Sequence, residues 1–160
     1  MTAKVIIIMG SKSDLAHAQA MTKTLKALEI PSVMRVCSAH KATSRLMELL
    51  NEYEQGEPLV YITIAGRSNA LSAVVDANSR FPVISCPPYS DRFGGADIFS
   101  SLRLPSGIAT PTILEPEGAA LMAAKVLALS DSALTQRIVA YKQGLTAELS
   151  RADDEVQKLS

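Results

Sequence analysis

Short apolar runs alternate with longer stretches of helical periodicity along this 160-residue chain. The first run, Lys4-Val5-Ile6-Ile7-Ile8-Met9, predicts a strand over 4–9. Leu15, Ala18, Thr22, Leu25 and Leu28 then fall near one face of a helix over about 13–29. Ile30-Pro31 ends it, because proline disfavours helix in the residue before it. Val33–Cys37 reads as a second strand, followed by a helix over about 42–54 with Leu46, Leu49, Leu50 and Tyr53 apolar. Leu59–Ala65 is the third strand, and a short apolar helix runs to about 77. Pro82–Ser85 is the fourth. A loop over about 87–96, rich in Gly, Asp and Ser, leads to a short helix near 97–102. Residues 103–111 look irregular, and Thr112-Ile113-Leu114 predicts a short fifth strand. Pro116 suits the first turn of a helix reaching about 129, with Ala119, Met122, Val126 and Leu129 as its apolar positions. The last helix begins near Ser132 and carries Leu134, Ile138, Tyr141, Leu145 and Leu149 towards Val156.

Strands alternating with helices imply an α/β protein, a parallel sheet with helices on both faces. Near-continuous Val/Ile runs fit strands buried on both sides. The expected architecture is a three-layer αβα, flavodoxin-like or Rossmann-like domain spanning 1–160, with a core over about 4–130 and a helical extension over about 131–160. The apolar stripe of that extension is longer than a domain of this size needs for its own closure. It is expected to pack on another subunit.

Composition narrows the function. With 16 basic against 16 acidic residues the formal net charge is zero, which argues against a nucleic-acid partner held by a general basic field. One small anionic ligand remains compatible. The two cysteines, Cys37 and Cys86, sit in or beside apolar stretches without Cys-x-x-Cys spacing. They read as buried free thiols in a reducing compartment. No signal-peptide layout precedes the first strand, and no apolar run approaches the roughly 20 residues of a membrane span. A soluble, cytoplasmic protein with no membrane partner is expected.

In a parallel sheet, ligands bind beyond the C-terminal strand ends. Three polar loops follow predicted strands: Gly10-Ser11-Lys12-Ser13-Asp14, Ser38-Ala39-His40-Lys41 and Gly66-Arg67-Ser68-Asn69. Free N–H groups at a helix start, with the hydroxyls of Ser11 and Ser13, make an anion site. Asp14 can accept hydrogen bonds from sugar hydroxyls. Ser11-x-x-Asp14 also fits a capping box, so this loop alone is equally a helix cap. Lys41 and Arg67 add cations, Arg67 with a bidentate fork, and Ser38 and Ser68 add hydroxyls. His40 is the one evident proton carrier, with an ordinary pKa of about 6.5. Alone it would read as a loop histidine satisfied by the backbone; at a strand end between Ser38 and Lys41 it reads as a general acid/base. His17, inside the first helix, reads as a surface residue. Metal-ligand spacing, Walker, dinucleotide and nucleophile-elbow motifs are missing, which disfavours metal, ATP and dinucleotide dependence. What remains is chemistry by positioning and proton transfer, with no cofactor. A non-catalytic nucleotide-binding module is the distant alternative. A receiver of that kind needs an acidic cluster, and Asp14 is solitary.

Met-Gly-Ser-x-Ser-Asp at 9–14, Ser-Ala-His-Lys at 38–41 and Ala-Gly-Arg-Ser-Asn at 65–69 resemble the PurE family of purine biosynthesis. So do Ile84-Ser85-Cys86-Pro87-Pro88, Ser100-Ser101-Leu102-Arg103-Leu104-Pro105-Ser106-Gly107 and Leu114-Glu115-Pro116. One branch, the N5-carboxyaminoimidazole ribonucleotide mutase, typically carries Ser-Ala-His-Arg and Gly-Gly-Ala-Ala-His. This chain has Lys41 and Arg67-Ser68-Asn69 instead. It resembles the class II branch, the 5-aminoimidazole ribonucleotide (AIR) carboxylase, which uses CO2 directly and is fused to a synthetase domain in animals. The chain's length fits a stand-alone microbial version. The resemblance implies AIR and its product 4-carboxy-AIR (CAIR) as ligands, CO2 as co-substrate, and a homo-oligomer, usually an octamer. It assigns proton transfer to His40. Gly10, Ser11, Ser13 and Asp14 would bind the ribose phosphate, with Ser38, Ala39 and Lys41 lining the same pocket. Gly66 and Ser68 would meet the substrate or its carboxylate, with Arg67 and Asn69 shaping their loop. The loop at 87–96 and Ser106-Gly107 are candidates for closing the pocket.

Overall fold

A computed structural model describes residues 3–159. Four strands form one parallel sheet: β1 (Lys4–Met9), β2 (Ser32–Val36), β3 (Leu59–Ile64) and β4 (Val83–Ser85). Their order is β2-β1-β3-β4, with Met9 opposite both Val36 and Ile64. This is the flavodoxin-like winding, with its reversal between β1 and β3. The helices are α1 (Leu15–Ala27), α2 (Thr43–Glu54), α3 (Ala70–Ala77), α4 (Phe99–Leu102), α5 (Pro116–Ala128) and α6 (Ser132–Gln157). Among the described residues, no helix is long and apolar enough to cross a membrane.

Side chains alternate across β1 and so seed two cores. Val5, Ile7 and Met9 pack with α1, α5 and the start of α6, while Ile6 and Ile8 pack with α2 and α3. Every residue of β3 is buried, which is why its sequence is continuously apolar except for Thr63. Burying each such large side chain contributes about 1.5–3 kcal/mol. Cys37 and Cys86 are buried free thiols, as expected.

Several boundaries differ from the sequence reading, each for a local reason. The first helix opens as a 3-10 turn over Lys12–Asp14. It ends two residues before the expected 29, because Glu29 adopts a left-handed conformation (φ 58°). Glu29 N–H then bonds Lys26 O at 3.0 Å and Ile30 N–H bonds Leu25 O at 2.9 Å, a Schellman closure without its usual glycine. Met21 rather than Thr22 completes the buried face of α1. The expected fifth strand reduces to one bridge, Ser85 to Thr112. Pro111 before it and the helix start at Pro116 leave no room for a ladder.

Of the apolar positions expected in the helix from Pro116, only some face inward. Ala119, Ala120, Ala123 and Ala124 are fully buried, whereas Met122 and Leu129 point outward. Its only charged residues, Glu117 and Lys125, lie near its two ends, so the apolar middle gave periodicity little contrast with which to choose a face. The small side chains face in and let α5 lie close against α1 and β3. In α6, Leu134 and Ile138 enter the core, but Leu145, Leu149 and Val156 are exposed.

Candidate active site

The three polar loops leave β1, β2 and β3 at the C-terminal edge of the sheet, on and beside the β1/β3 reversal. Two backbone bonds tie their bases together. Gly10 N–H donates to Ile64 O, and Cys37 N–H to Met9 O, both at 2.8 Å. All three predicted clusters are thereby brought to one place.

In the first loop both readings hold at once. Ser13 N–H donates to Ser11 Oγ at 3.2 Å, and Ser11 N–H donates to Asp14 Oδ2 at 3.2 Å. The capping box is formed, and it holds the exposed hydroxyls of Ser11 and Ser13 3.0 Å apart beside Gly10. Burial pushes the Asp14 carboxyl above the usual carboxylate range, against the opposing pull of the Ser11 N–H and of His17.

The second loop is a tight turn. Ser38 O accepts from Ala42 N–H at 2.9 Å, Ser38 Oγ from Lys41 N–H at 3.3 Å, and Ala39 O from Thr43 Oγ1 at 2.6 Å. Ala39 is buried by this folding, while His40 and Lys41 are exposed above it. Among the described residues nothing hydrogen-bonds the His40 ring, so it is not a histidine satisfied by the backbone.

The third loop turns sharply at Arg67, a non-glycine residue with φ 59°. Gly66 lies against the Pro88 ring; a Cβ there would sit 3.4 Å from Pro88 Cγ. Arg67 and Ser68 are exposed. Asn69 is turned inward, in keeping with a loop-shaping role. It is 4% exposed, and its Nδ2 lies 2.8 Å from Ser72 Oγ, 3.0 Å from Ser85 Oγ and 2.9 Å from Ser101 Oγ. Its Oδ1 accepts from Ser72 N–H at 3.2 Å and so caps α3. The whole amide is engaged inside the fold, where it shapes the loop.

Two further residues reach this loop from about thirty positions away. Asp97 Oδ2 accepts from Arg67 N–H at 3.2 Å, and Ser100 Oγ accepts from Asn69 N–H at 2.9 Å. No local spacing in the sequence signals either contact. A cavity of about 190 Å³ opens beside them, lined by Gly66, Pro87, Pro88, Tyr89, Asp97 and Ile98 among others. It adjoins the third loop rather than covering His40. The 87–96 segment is thus at the site, and its tip carries three left-handed residues, Phe93, Gly94 and Gly95.

His17 is not the surface residue expected. It is half-buried, with Nε2 3.4 Å from Cys86 Sγ, and Cys86 Sγ lies 3.6 Å from Leu114 O. Burial lowers the His17 pKa and pushes the Cys86 thiol up to about 12. The sign of the His17 effect is definite. Below its ordinary value of 6.5 the unfolded chain takes up a proton more readily than the fold does, so stability falls as pH drops from there towards the lowered folded value. His17→Gln is expected to flatten the decline in thermal midpoint between pH 7 and 5; an unaltered slope would contradict this. Asp14 acts oppositely and lower, because its raised pKa makes the fold bind the proton first in the window above 3.8.

Fold and loops together define a doubly wound α/β protein with a hydroxyl- and cation-bearing site at its switch point. Residues 4–148 match the family model described as AIR carboxylase. The phosphoribosylaminoimidazole carboxylase of Archaeoglobus fulgidus is 49% identical over 154 residues, covering 96% of this chain and 85% of that one. The crystal structure of Treponema denticola PurE superposes with a TM-score of 0.92 at 44% identity, covering 96% of this chain and 98% of that one. The rat bifunctional phosphoribosylaminoimidazole carboxylase/phosphoribosylaminoimidazole succinocarboxamide synthetase is 41% identical over 156 residues, which is 97% of this chain and 37% of that protein. The chain belongs to the AIR carboxylase (PurE) family and is an enzyme of purine biosynthesis.

Proposed function

We propose that this enzyme carboxylates AIR directly with CO2, reversibly, to give CAIR. The observation that carries the reading is the convergence of His40, Lys41 and the Gly66–Asn69 loop at the β1/β3 reversal, with Arg67-Ser68-Asn69 where the mutase branch has small residues and a second histidine. Similarity across nearly the whole chain to the carboxylase portion of an animal bifunctional protein supports the same branch.

The chemistry follows from the substrate. The aminoimidazole of AIR is an enamine, so its ring carbon attacks the carbon of CO2 and forms the new C–C bond unaided. That carbon then holds both a hydrogen and a carboxylate, and the ring has lost its aromaticity. His40, exposed at the site, takes the proton, and the C–H electron pair returns to the ring. In reverse, His40 protonates the ring carbon before CO2 departs. Ser11, Ser13 and Asp14 hold the ribose phosphate, helped by the N–H groups at Gly10 and the helix start. Ser38, Ala39 and Lys41 line the pocket, and Gly66 and Ser68 meet the carboxylate. A cofactor is unnecessary because the substrate supplies its own electron pair. The protein's other contribution is to orient the gas and exclude water.

The exposed apolar stripe of α6, with the outward Met122 of α5 and Leu129 just beyond it, supports a homo-oligomer, with the octamer as the working assembly. Sedimentation as a monomer would remove that part. A soluble cytoplasmic enzyme without a nucleic-acid or membrane partner is part of this proposal, supported by its balanced charge.

The decisive assay gives the purified protein AIR with CO2, or the N5-carboxylated nucleotide, in separate reactions followed by CAIR absorbance. CAIR is expected from AIR and CO2. Product from the N5-carboxylated substrate alone would instead select the mutase reaction on the same scaffold.

A further inference from the structure

The third loop does not hold its own shape. Arg67 sits in the left-handed region, a conformation that costs a non-glycine residue about 1 kcal/mol and persists only when its surroundings impose it. Ser68 O accepts the Ala70 N–H at 3.0 Å, but the N–H groups of Arg67 and Asn69 and the Arg67 carbonyl find their partners on the segment just before and within α4. Asp97 Oδ2 takes the N–H of Arg67 at 3.2 Å. The Ser100 hydroxyl takes the N–H of Asn69 at 2.9 Å and lies 3.0 Å from Arg67 O and 2.7 Å from Asp97 O, between which its single hydrogen is shared. Asp97 also flanks Gly66, 3.9 Å from where a Cβ would be, and lines the neighbouring cavity. Below the turn, Asn69 locks to Ser72, Ser85 and Ser101, so only the stretch from Gly66 to Ser68 depends on Asp97 and Ser100.

We infer that Asp97 and Ser100 are positioning residues for carboxylation: they act through the backbone of Arg67 and Asn69 to fix where Gly66 and Ser68 meet the reacting carboxylate. This rests on the reaction proposed above for its substrate. The nucleotide itself is assigned to the first two loops, which Asp97 and Ser100 do not touch. Loosening the third loop therefore misplaces the carboxylate end of the reaction while leaving the nucleotide end held. A displacement of the order of 1 Å at a reacting centre costs about 100-fold in rate.

The test compares Asp97→Ala, Asp97→Asn and Ser100→Ala with wild type, measuring kcat, KM for AIR and thermal midpoint. Asp97→Ala orphans the Arg67 N–H and is expected to lower kcat about 10- to 100-fold with KM for AIR little changed. Asp97→Asn keeps an oxygen that accepts the same N–H and is expected to restore most of kcat. Ser100→Ala is expected to reproduce the kcat-selective loss, and it carries the test if Asp97→Ala fails to fold. Unchanged kcat in Asp97→Ala or Ser100→Ala would overturn the inference. So would an Asp97→Asn variant as poor as Asp97→Ala, since that would make the carboxylate charge, not the hydrogen bond, the active property. Wild type that turns over only the N5-carboxylated substrate would defeat the proposed reaction alone, and the same kcat-against-KM split is then read on that substrate.

Discussion

Replacing His40 with asparagine is expected to lower turnover about 10²- to 10⁴-fold, the usual contribution of a positioned general acid/base. AIR binding should persist, because the hydroxyls and carboxylate of the first loop are untouched. Asparagine is close in size and polarity to imidazole but neither takes up nor releases a proton near neutral pH. The ring is exposed, so the substitution opens no cavity in either core. Measuring CAIR decarboxylation alongside carboxylation sharpens the result, because the same proton must be returned in reverse. Both directions should fall together. Near-wild-type turnover in either direction would move the proton transfer to another group.

Asp14→Ala is expected to raise KM for AIR about 10- to 100-fold with a smaller change in kcat, since a hydrogen bond to a charged group contributes about 1.5–3 kcal/mol. Asp14 has a second role that the experiment must separate. Its Oδ2 accepts the Ser11 N–H in the capping box, and loss of such a cap costs about 1 kcal/mol of stability. Asp14→Asn distinguishes the two. Its side-chain oxygen still accepts from Ser11, so the thermal midpoint should recover while KM stays high. A normal KM with lost turnover in Asp14→Ala would place Asp14 at the reacting centre instead. Because burial raises the Asp14 pKa, AIR binding should also weaken on acidification sooner than an ordinary carboxylate would require.

β1, β3 and β4 were legible as short apolar runs that the sheet buries on both faces, β2 as a β-branched run although Val33, Met34 and Val36 are exposed, and the three loops because each follows a strand. Helix faces were legible only where polar residues marked the outside. In α2, charged positions alternate with Leu46, Leu49, Leu50 and Tyr53, and all four are buried. In α5 the only charged residues lie near its ends, so of Ala119, Met122, Val126 and Leu129 only Ala119 is fully buried, with the other alanines and Leu127 beside it. Glu29 shows a different limit: its left-handed conformation is imposed by the Leu25 and Ile30 packing around it, not by its own preference. At the site, the sequence placed Asn69 in its loop but could not show which partners its amide takes, because Ser72, Ser85 and Ser101 come from three different stretches of the chain. Nothing in the sequence linked Asp97 or Ser100 to the third loop, although Ser100 opens a motif of the resemblance, since their partners lie about thirty residues away.

The alanine face of α5 also sets where this chain can change. Ala119, Ala120, Ala123 and Ala124 are wholly enclosed, and at the head of the helix a Cβ on Gly118 would come within 3.2 Å of Ile113 Cγ2. Any added methyl must push a neighbouring element aside, at about 1–3 kcal/mol per substitution. In a saturation library this face should accept almost nothing but the residues it has, although none of them touches the site. Efforts to harden the enzyme by filling its interior have little to work with there. The exposed helix surfaces, not this enclosed face, are where sequence drift can accumulate without disturbing the core.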